Sequence, residues 1–173
     1  MIQVFENIYC GSQADYESIA SSDEWAVLHC CKEPHHRKLA GYSGQALPQS
    51  HLHYPYIIKG HRMALNLVDM DTFSSKFAEF NYKMFSDAFD FLNQWRTERN
   101  LLIHCNQGES RGPSLALLYI STLGAFGYAG FEESKVAFVK IYPRFNPKRN
   151  ILTNVQLHWE RFVTPKIPQD TSD

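Results

Sequence analysis

The chain reads as an α/β protein with a mostly parallel central sheet of four to five strands and helices on both faces. Two observations carry that expectation. Short apolar runs, Trp25 to Cys31, Arg62 to Val68 and Leu101 to His104, alternate with stretches whose apolar residues recur every three or four positions. Strands buried on both faces lose the in-out alternation of a half-exposed sheet, and such runs are typical of parallel sheets covered by helices.

The elements follow in order. Val4 to Gly11 is expected as a short edge strand closed by Gly11-Ser12, and Asp15 to Ala20 as a turn or two of helix. Trp25 to Cys31 is a central strand. From Lys32 to Gly60 the periodicity disappears among Pro34, Gly41, Gly44, Pro48 and Pro55, so this stretch is expected to be a long loop, of the kind that is functional or mobile. A strand from Arg62 then runs to Val68 and ends at Asp69. Phe77, Phe80, Met84, Ala88, Leu92 and Trp95 form the apolar stripe of a long helix. After the Leu101–His104 strand comes a loop and a helix through Leu115 and Leu118. Phe131 to Tyr142, stopped by Pro143, and Ile151 to Phe162 are the last two helices. Residues 1–163 read as one domain, and 164–173 as a polar tail with frayed structure.

Composition narrows the function. Of 173 residues, 44% are hydrophobic and 20% charged, which permits a packed core and argues against disorder. A net charge of -1 supplies no general attraction to nucleic acid or an anionic membrane, and neither is expected as a partner. The most apolar long stretch, Leu115 to Phe131, is broken by Ser121, Thr122 and three glycines, and reads as a buried helix and turn. The first residues lack the pattern of a signal peptide. The four cysteines, Cys10, Cys30, Cys31 and Cys105, have no framework spacing, which fits a reducing compartment. A soluble, cytoplasmic protein is expected. His35-His36 and His51-x-His53 stand in polar surroundings without a carboxylate or cysteine at ligand spacing, so they read as solvated and no metal or cofactor is expected. His35-His36-Arg37-Lys38 with Lys59 and Arg62 forms a local basic patch, open to reading as a solvated face or as a lip that attracts anions.

One segment carries chemistry. The strand Leu101-Leu102-Ile103-His104 delivers Cys105 to its carboxyl end, Asn106 to Ser110 form a loop, and a helix follows Arg111. Backbone N–H groups of such a loop can converge in front of a helix N-terminus as an anion nest. Gly108 supplies backbone freedom, and Pro113 suits the first helical turn, where a missing N–H is harmless. The planar fork of Arg111 can grip two phosphate oxygens, and the same positive field favours thiolate over thiol at Cys105. Packing alone accounts for a lone cysteine, but not for this cysteine together with Gly108, Arg111 and the helix start.

This His-Cys-x5-Arg segment resembles the signature loop of cysteine-dependent protein tyrosine phosphatases. Gly108-Glu109-Ser110-Arg111 is similar to the ending found in the dual-specificity branch. Asn7 to Ser12 resembles that family's opening strand, Leu65 to Asp69 its strand before the general acid, and Asn150, Gln156 and Leu157 its closing helix. The wording of Cys31 to Arg37 and His104 to Glu109 looks most like prokaryotic or phage-borne members. The resemblance implies phosphomonoester hydrolysis through a cysteinyl-phosphate, on phosphotyrosine and also phosphoserine or phosphothreonine in proteins, or on a small phosphomonoester. Cys105 would be the nucleophile and Arg111 the clamp. Asn106, Gln107, Gly108, Glu109 and Ser110 would hold phosphate, Asp69 (alternatively Asp71) would be the acid, and His104 and Ser114 would support the loop. Phosphate, vanadate or tungstate would occupy the nest. Where the family has Ser or Thr after the arginine, this chain has Gly112, so Ser110 or Ser114 would have to stabilise the departing thiolate. The loop has no lysine and carries Glu109, which argues against a highly charged head group. An RNA 5′ end or inositol phosphate as substrate, an inactive phosphate-binding module, and sulfur transfer of the rhodanese type are the alternatives. In some relatives the nucleophile forms a reversible disulfide with a neighbour, and Cys31 would be that partner here.

Overall fold

The computed structural model describes residues 1–164. The expected polar tail falls almost wholly outside the described residues. Six strands form one sheet in the order β1-β2-β6-β3-β5-β4: β1 Ile2–Phe5, β2 Ile8–Gly11, β3 Trp25–His29, β4 Tyr56–Lys59, β5 Arg62–Leu65 and β6 Asn100–His104. The four inner strands β2, β6, β3 and β5 run parallel, while β1 and β4 pair antiparallel at the two edges. Helices α1 Gln13–Glu17, α2 Arg37–Ala40, α3 Ala78–Trp95, α4 Arg111–Thr122, α5 Phe131–Ile141 and α6 Arg149–Phe162 complete the chain.

The sheet is larger than expected, for local reasons. The opening run is two strands, because Glu6 takes a positive φ of 42° and reverses the chain between β1 and β2. The predicted Lys32–Gly60 loop contains a helical turn at Lys32–His36, the short α2, and the edge strand β4. β4 returns to β5 through Gly60 at φ 58°, and its outer residues Ile58 and Lys59 are exposed, so no apolar run marks it. The strand from Arg62 stops at Leu65, leaving residues 66–74 as irregular chain that runs to the end of the sheet where the site lies.

β6 occupies the middle of the sheet, and Leu101, Leu102, Ile103 and His104 are fully buried. α4 packs behind it with Leu115 to Ile120 at zero exposure, so the segment between β6 and α4 is clamped at both ends. α3 lays Met84, Phe85, Ala88 and Leu92 on the core, as its stripe predicts. Among the described residues, no helix is long and apolar enough to cross a membrane.

Candidate active site

Parallel register brings three strand ends level: Gly11 of β2 and His29 of β3 both lie opposite His104. The loop 105–110 rises from this line. Its carbonyls all point outward into the protein. Asn106 O accepts from Gln13 N (3.0 Å), Gln107 O from the Arg144 guanidinium (2.7 Å), Gly108 O from the Tyr142 hydroxyl (2.7 Å) and Glu109 O from Asn146 N (2.9 Å). A trans peptide sets its N–H opposite to its C=O, so the amides of Gln107, Gly108, Glu109 and Ser110 turn toward the inside of the loop. Gly108 has φ 72°, and a Cβ there would lie 2.8 Å from the backbone of Gly11. Only glycine fits both the backbone and the space.

Inside the loop is a cavity of about 210 Å³ lined by Asp69, Cys105, Asn106, Gln107, Ser110, Arg111 and Lys148. Arg111 donates through Nη1 to Leu67 O and through Nη2 to Asn106 Oδ1, both at 3.0 Å. Its Nε is buried with no hydrogen-bond partner, and stands 3.8 Å from Asp69 Oδ2. A buried donor of this kind is costly unless something fills it. Asp69 accepts from the Ser110 hydroxyl at 3.0 Å, and that hydroxyl in turn accepts from Lys148 N. Asp71 lies outside the cavity, with its side chain 82% exposed and paired with Lys148 at 3.4 Å. The sequence thus left two carboxylates open; the fold brings Asp69 to the cysteine and turns Asp71 to solvent.

The remaining candidates fall into place differently. Ser114 is buried and its hydroxyl donates to Ser110 O at 2.7 Å, while Ser110 is engaged with Asp69, so neither hydroxyl is hydrogen-bonded to the Cys105 sulfur. A Cβ on Gly112 would stand 2.8 Å from the His104 carbonyl carbon and 2.9 Å from Cys105 N. In this chain α4 starts so close to β6 that glycine is required at the position after Arg111. Cys31 lies just beyond β3, buried, and all four cysteines are free thiols. Burial pushes the Cys31 thiol up to about 12, with nearby Arg111 acting in the opposite direction.

The reading of His35 and His36 as solvated is overturned: they are 7% and 0% exposed. The helical turn at 32–36 tucks them under the loop, where His36 holds Tyr42 and the carbonyl of His53, and His35 holds Gln13. Of the basic patch, Arg37 is paired with Glu33, while Lys38 and Lys59 remain exposed. His35 instead joins His29 and His104, whose ligand atoms all lie within 4.8 Å of one another. His104 Nδ1–H donates to Cys105 O at 3.3 Å, which leaves Nε2 as the acceptor for His29 Nδ1–H at 2.6 Å. Burial holds all three neutral: His104 falls to about 3, His35 to about 4, and His29 well below the ordinary range. Neutral imidazoles suit a metal such as zinc, but His29 and His35 stack at 3.9 Å and 12°. Their in-plane lone pairs do not meet at one point, so a cation would require His35 to leave the stack. As it stands, the group is a hydrogen-bonded plinth beneath Cys105.

Sequence reading missed Tyr142, Arg144, Lys148 and Gln13, which shape the loop from outside. Tyr142-Pro143-Arg144 after an amphipathic helix is the only local hint, and nothing in it points to residues 107 and 108.

A cysteine and an arginine bracketing a nest on a central parallel strand, within a helix-covered six-stranded sheet, define the dual-specificity and tyrosine phosphatase fold. Solved structures with this fold include DUSP15 (TM-score 0.61, 18% identity, covering 92% of this chain and 86% of that one). Others are the PTP-2 phosphatase of Cydia pomonella (0.58, 16%, 90% and 87%) and the tyrosine phosphatase OH1 of Orf virus (0.51, 17%, 94% and 86%). No family model and no curated protein matches the sequence.

Proposed function

We propose that this chain is a cysteine-dependent phosphatase that hydrolyses phosphate monoesters in proteins, phosphotyrosine first and also phosphoserine or phosphothreonine. The observation that carries it is the buried, unpartnered Nε of Arg111 in the same small cavity as Cys105, above a loop whose carbonyls are all turned outward. An oxyanion would satisfy that donor and the inward amides together.

In this reading the Cys105 sulfur attacks phosphorus in line and the P–O bond to the leaving group breaks. Asp69 gives its proton to that oxygen. Water then attacks the cysteinyl-phosphate, Asp69 takes the proton, the S–P bond breaks and inorganic phosphate leaves. Arg111 and the amides of residues 106–111 hold the equatorial oxygens throughout. Asp69 is preferred over Asp71 because it lines the cavity, and Ser110 together with Arg111 orients its carboxylate. With Gly112 offering no hydroxyl, departure of the thiolate is the step expected to be slow. A protein substrate is preferred over an RNA 5′ end or an inositol phosphate because the loop carries Glu109 and no lysine, and Lys148 at the cavity is paired with Asp71. The fold neighbours include PTPMT1 solved in complex with PI(5)P, which keeps the lipid head group a substrate to test.

The test is turnover of an aryl phosphate. Cys105→Ser should be inactive, and Asp69→Asn should lose about a hundred- to ten-thousand-fold in kcat. Asp71→Asn should stay close to wild type, and vanadate or tungstate should inhibit competitively. Turnover by the serine variant would refute the nucleophile, and a crippled Asp71→Asn beside an active Asp69→Asn would transfer the acid role.

A further inference from the structure

The cavity around Cys105 does not end at its rim. It shares Asp69, Asn106 and Arg111 with a shallow cleft of about 490 Å³ that also takes in Lys32, Leu67 and Val68. That cleft in turn shares Lys32, Leu67 and Val68 with a hollow of about 400 Å³. The three form one trough. Leu47, Pro48 and Tyr54 from the 32–60 segment wall the far hollow on one side, and Met70, Phe77 and Phe80 from the chain after β5 wall it on the other. Val68, Met70 and Phe77 are 49%, 42% and 39% exposed, a group of apolar side chains open to solvent along the trough. Grouped exposure of this kind marks a binding surface, whereas scattered exposure would not.

We infer that this hollow is a specificity subsite that seats one large aromatic side chain of a phosphopeptide, a few residues from the phosphorylated one. The inference rests on the proposed phosphatase reading for the identity of the neighbouring cavity. Its volume is at the low end of the roughly 300–1,000 Å³ that encloses small ligands. Its lining is mixed: apolar walls, with the amide of Asn66 and those of Asn81 and Asn150 among them. Asn81 Nδ2 and Asn150 Oδ1 are tied to Asn154, while Asn81 Oδ1 and Asn150 Nδ2 have no such partner among the described residues. A hydrocarbon tail would leave those amides against methylenes at a cost, while the indole N–H of Trp or the hydroxyl of Tyr can meet them. The connection through Leu67, Val68 and Asp69 puts this side chain on the same substrate as the phosphate, so its burial would be read in kcat/KM.

The experiment scans Trp, Ala and Asp through the three residues on each side of phosphotyrosine in a short peptide. Binding of the same peptides to Cys105→Ser is followed by fluorescence anisotropy. Expected is one position where Trp exceeds Ala by tenfold or more, both in kcat/KM of the wild type and in affinity of Cys105→Ser. That ratio should collapse toward unity in Met70→Glu and, from the opposite wall, in Leu47→Ser. Because the ratio is internal to each variant, a general loss of activity does not affect it. A flat scan in an enzyme that turns over aryl phosphate would overturn the subsite and leave the phosphatase reading intact. Failure on aryl phosphate with the Trp preference kept in the binding assay would overturn the phosphatase reading and leave the subsite standing. Faster cleavage of phosphoinositide in phosphatidylcholine vesicles than of any peptide, abolished by Met70→Glu, would assign the hollow to lipid and refute a peptide occupant.

Discussion

Lowering the pH from 7 to 5 should strip this protein of a large part of its stability through the histidines beneath Cys105. His104 and His29 are 0% and 1% exposed, and burial holds both neutral in the folded chain, His104 at about 3 against an ordinary 6.5. In the unfolded chain both rings take up a proton below about pH 6.5. The unfolded state therefore binds more protons in this window, so stability is full above 6.5, falls as pH drops, and levels off only below the folded values. At pH 5 an unfolded imidazole is almost fully protonated and the buried His104 ring almost fully neutral, which amounts to about 2 kcal/mol for that ring relative to pH 7. That compares with a total of roughly 5–15 kcal/mol for a typical domain, and His29, shifted down by burial, adds to it. His35, held at about 4 chiefly by burial, acts in the same direction. Asp15 favours the charged form of His104, while His35 and Arg111 oppose it. Urea denaturation followed by tryptophan fluorescence at pH 7.0 and 5.0, at constant ionic strength, measures the difference. A loss below about 1 kcal/mol would mean that these rings are protonated or hydrated in the native state, and the buried neutral chain from His29 to Cys105 O would be refuted. His104→Asn should remove one ring's share of the slope.

Other perturbations test the loop itself. Gly112→Ser, which restores the residue type usual in the resembled family, should destabilise by about 1–3 kcal/mol, because its Cβ meets backbone atoms of His104 and Cys105 within 3 Å. Thermal denaturation reads this, and an unchanged Tm would show that α4 has room to shift. Tyr142→Phe removes the hydroxyl that holds Gly108 O, and should raise the inhibition constant for vanadate more than it lowers Tm. Equal vanadate affinity would mean that the carbonyl needs no such tether. Mild peroxide should oxidise Cys105 to the sulfenic acid, which the Cys31 thiol then attacks, forming the S–S bond and releasing water. With Cys31 held protonated up to about 12 by burial, that second step should be slow and accelerate with pH. Peptide mapping that finds oxidised Cys105 alone at every pH would eliminate the bond.

What the amino-acid sequence determined by itself is whatever is contiguous. The inner strands announce themselves as apolar runs because both faces are buried, and α3 and α6 as stripes because one face is. The loop from Cys105 to Arg111 is legible because one stretch of chain supplies the strand end, the glycine turn and the helix start, so its local chemistry survives in one dimension. Tertiary structure decided what depends on distant segments meeting. Which of Asp69 and Asp71 lines the cavity turns on the direction of residues 66–74 after β5 ends early. The outward pull on the loop carbonyls comes from Gln13, Tyr142, Arg144 and Asn146, far along the chain in both directions. The burial of His35 and His36 followed from a tight turn packed beneath the site, a position that two histidines among polar neighbours do not reveal. β4 escaped notice because an edge strand half open to solvent carries no continuous apolar run. The far hollow exists only because the 32–60 segment folds back over the chain after β5, and no residue pattern within either piece encodes their encounter.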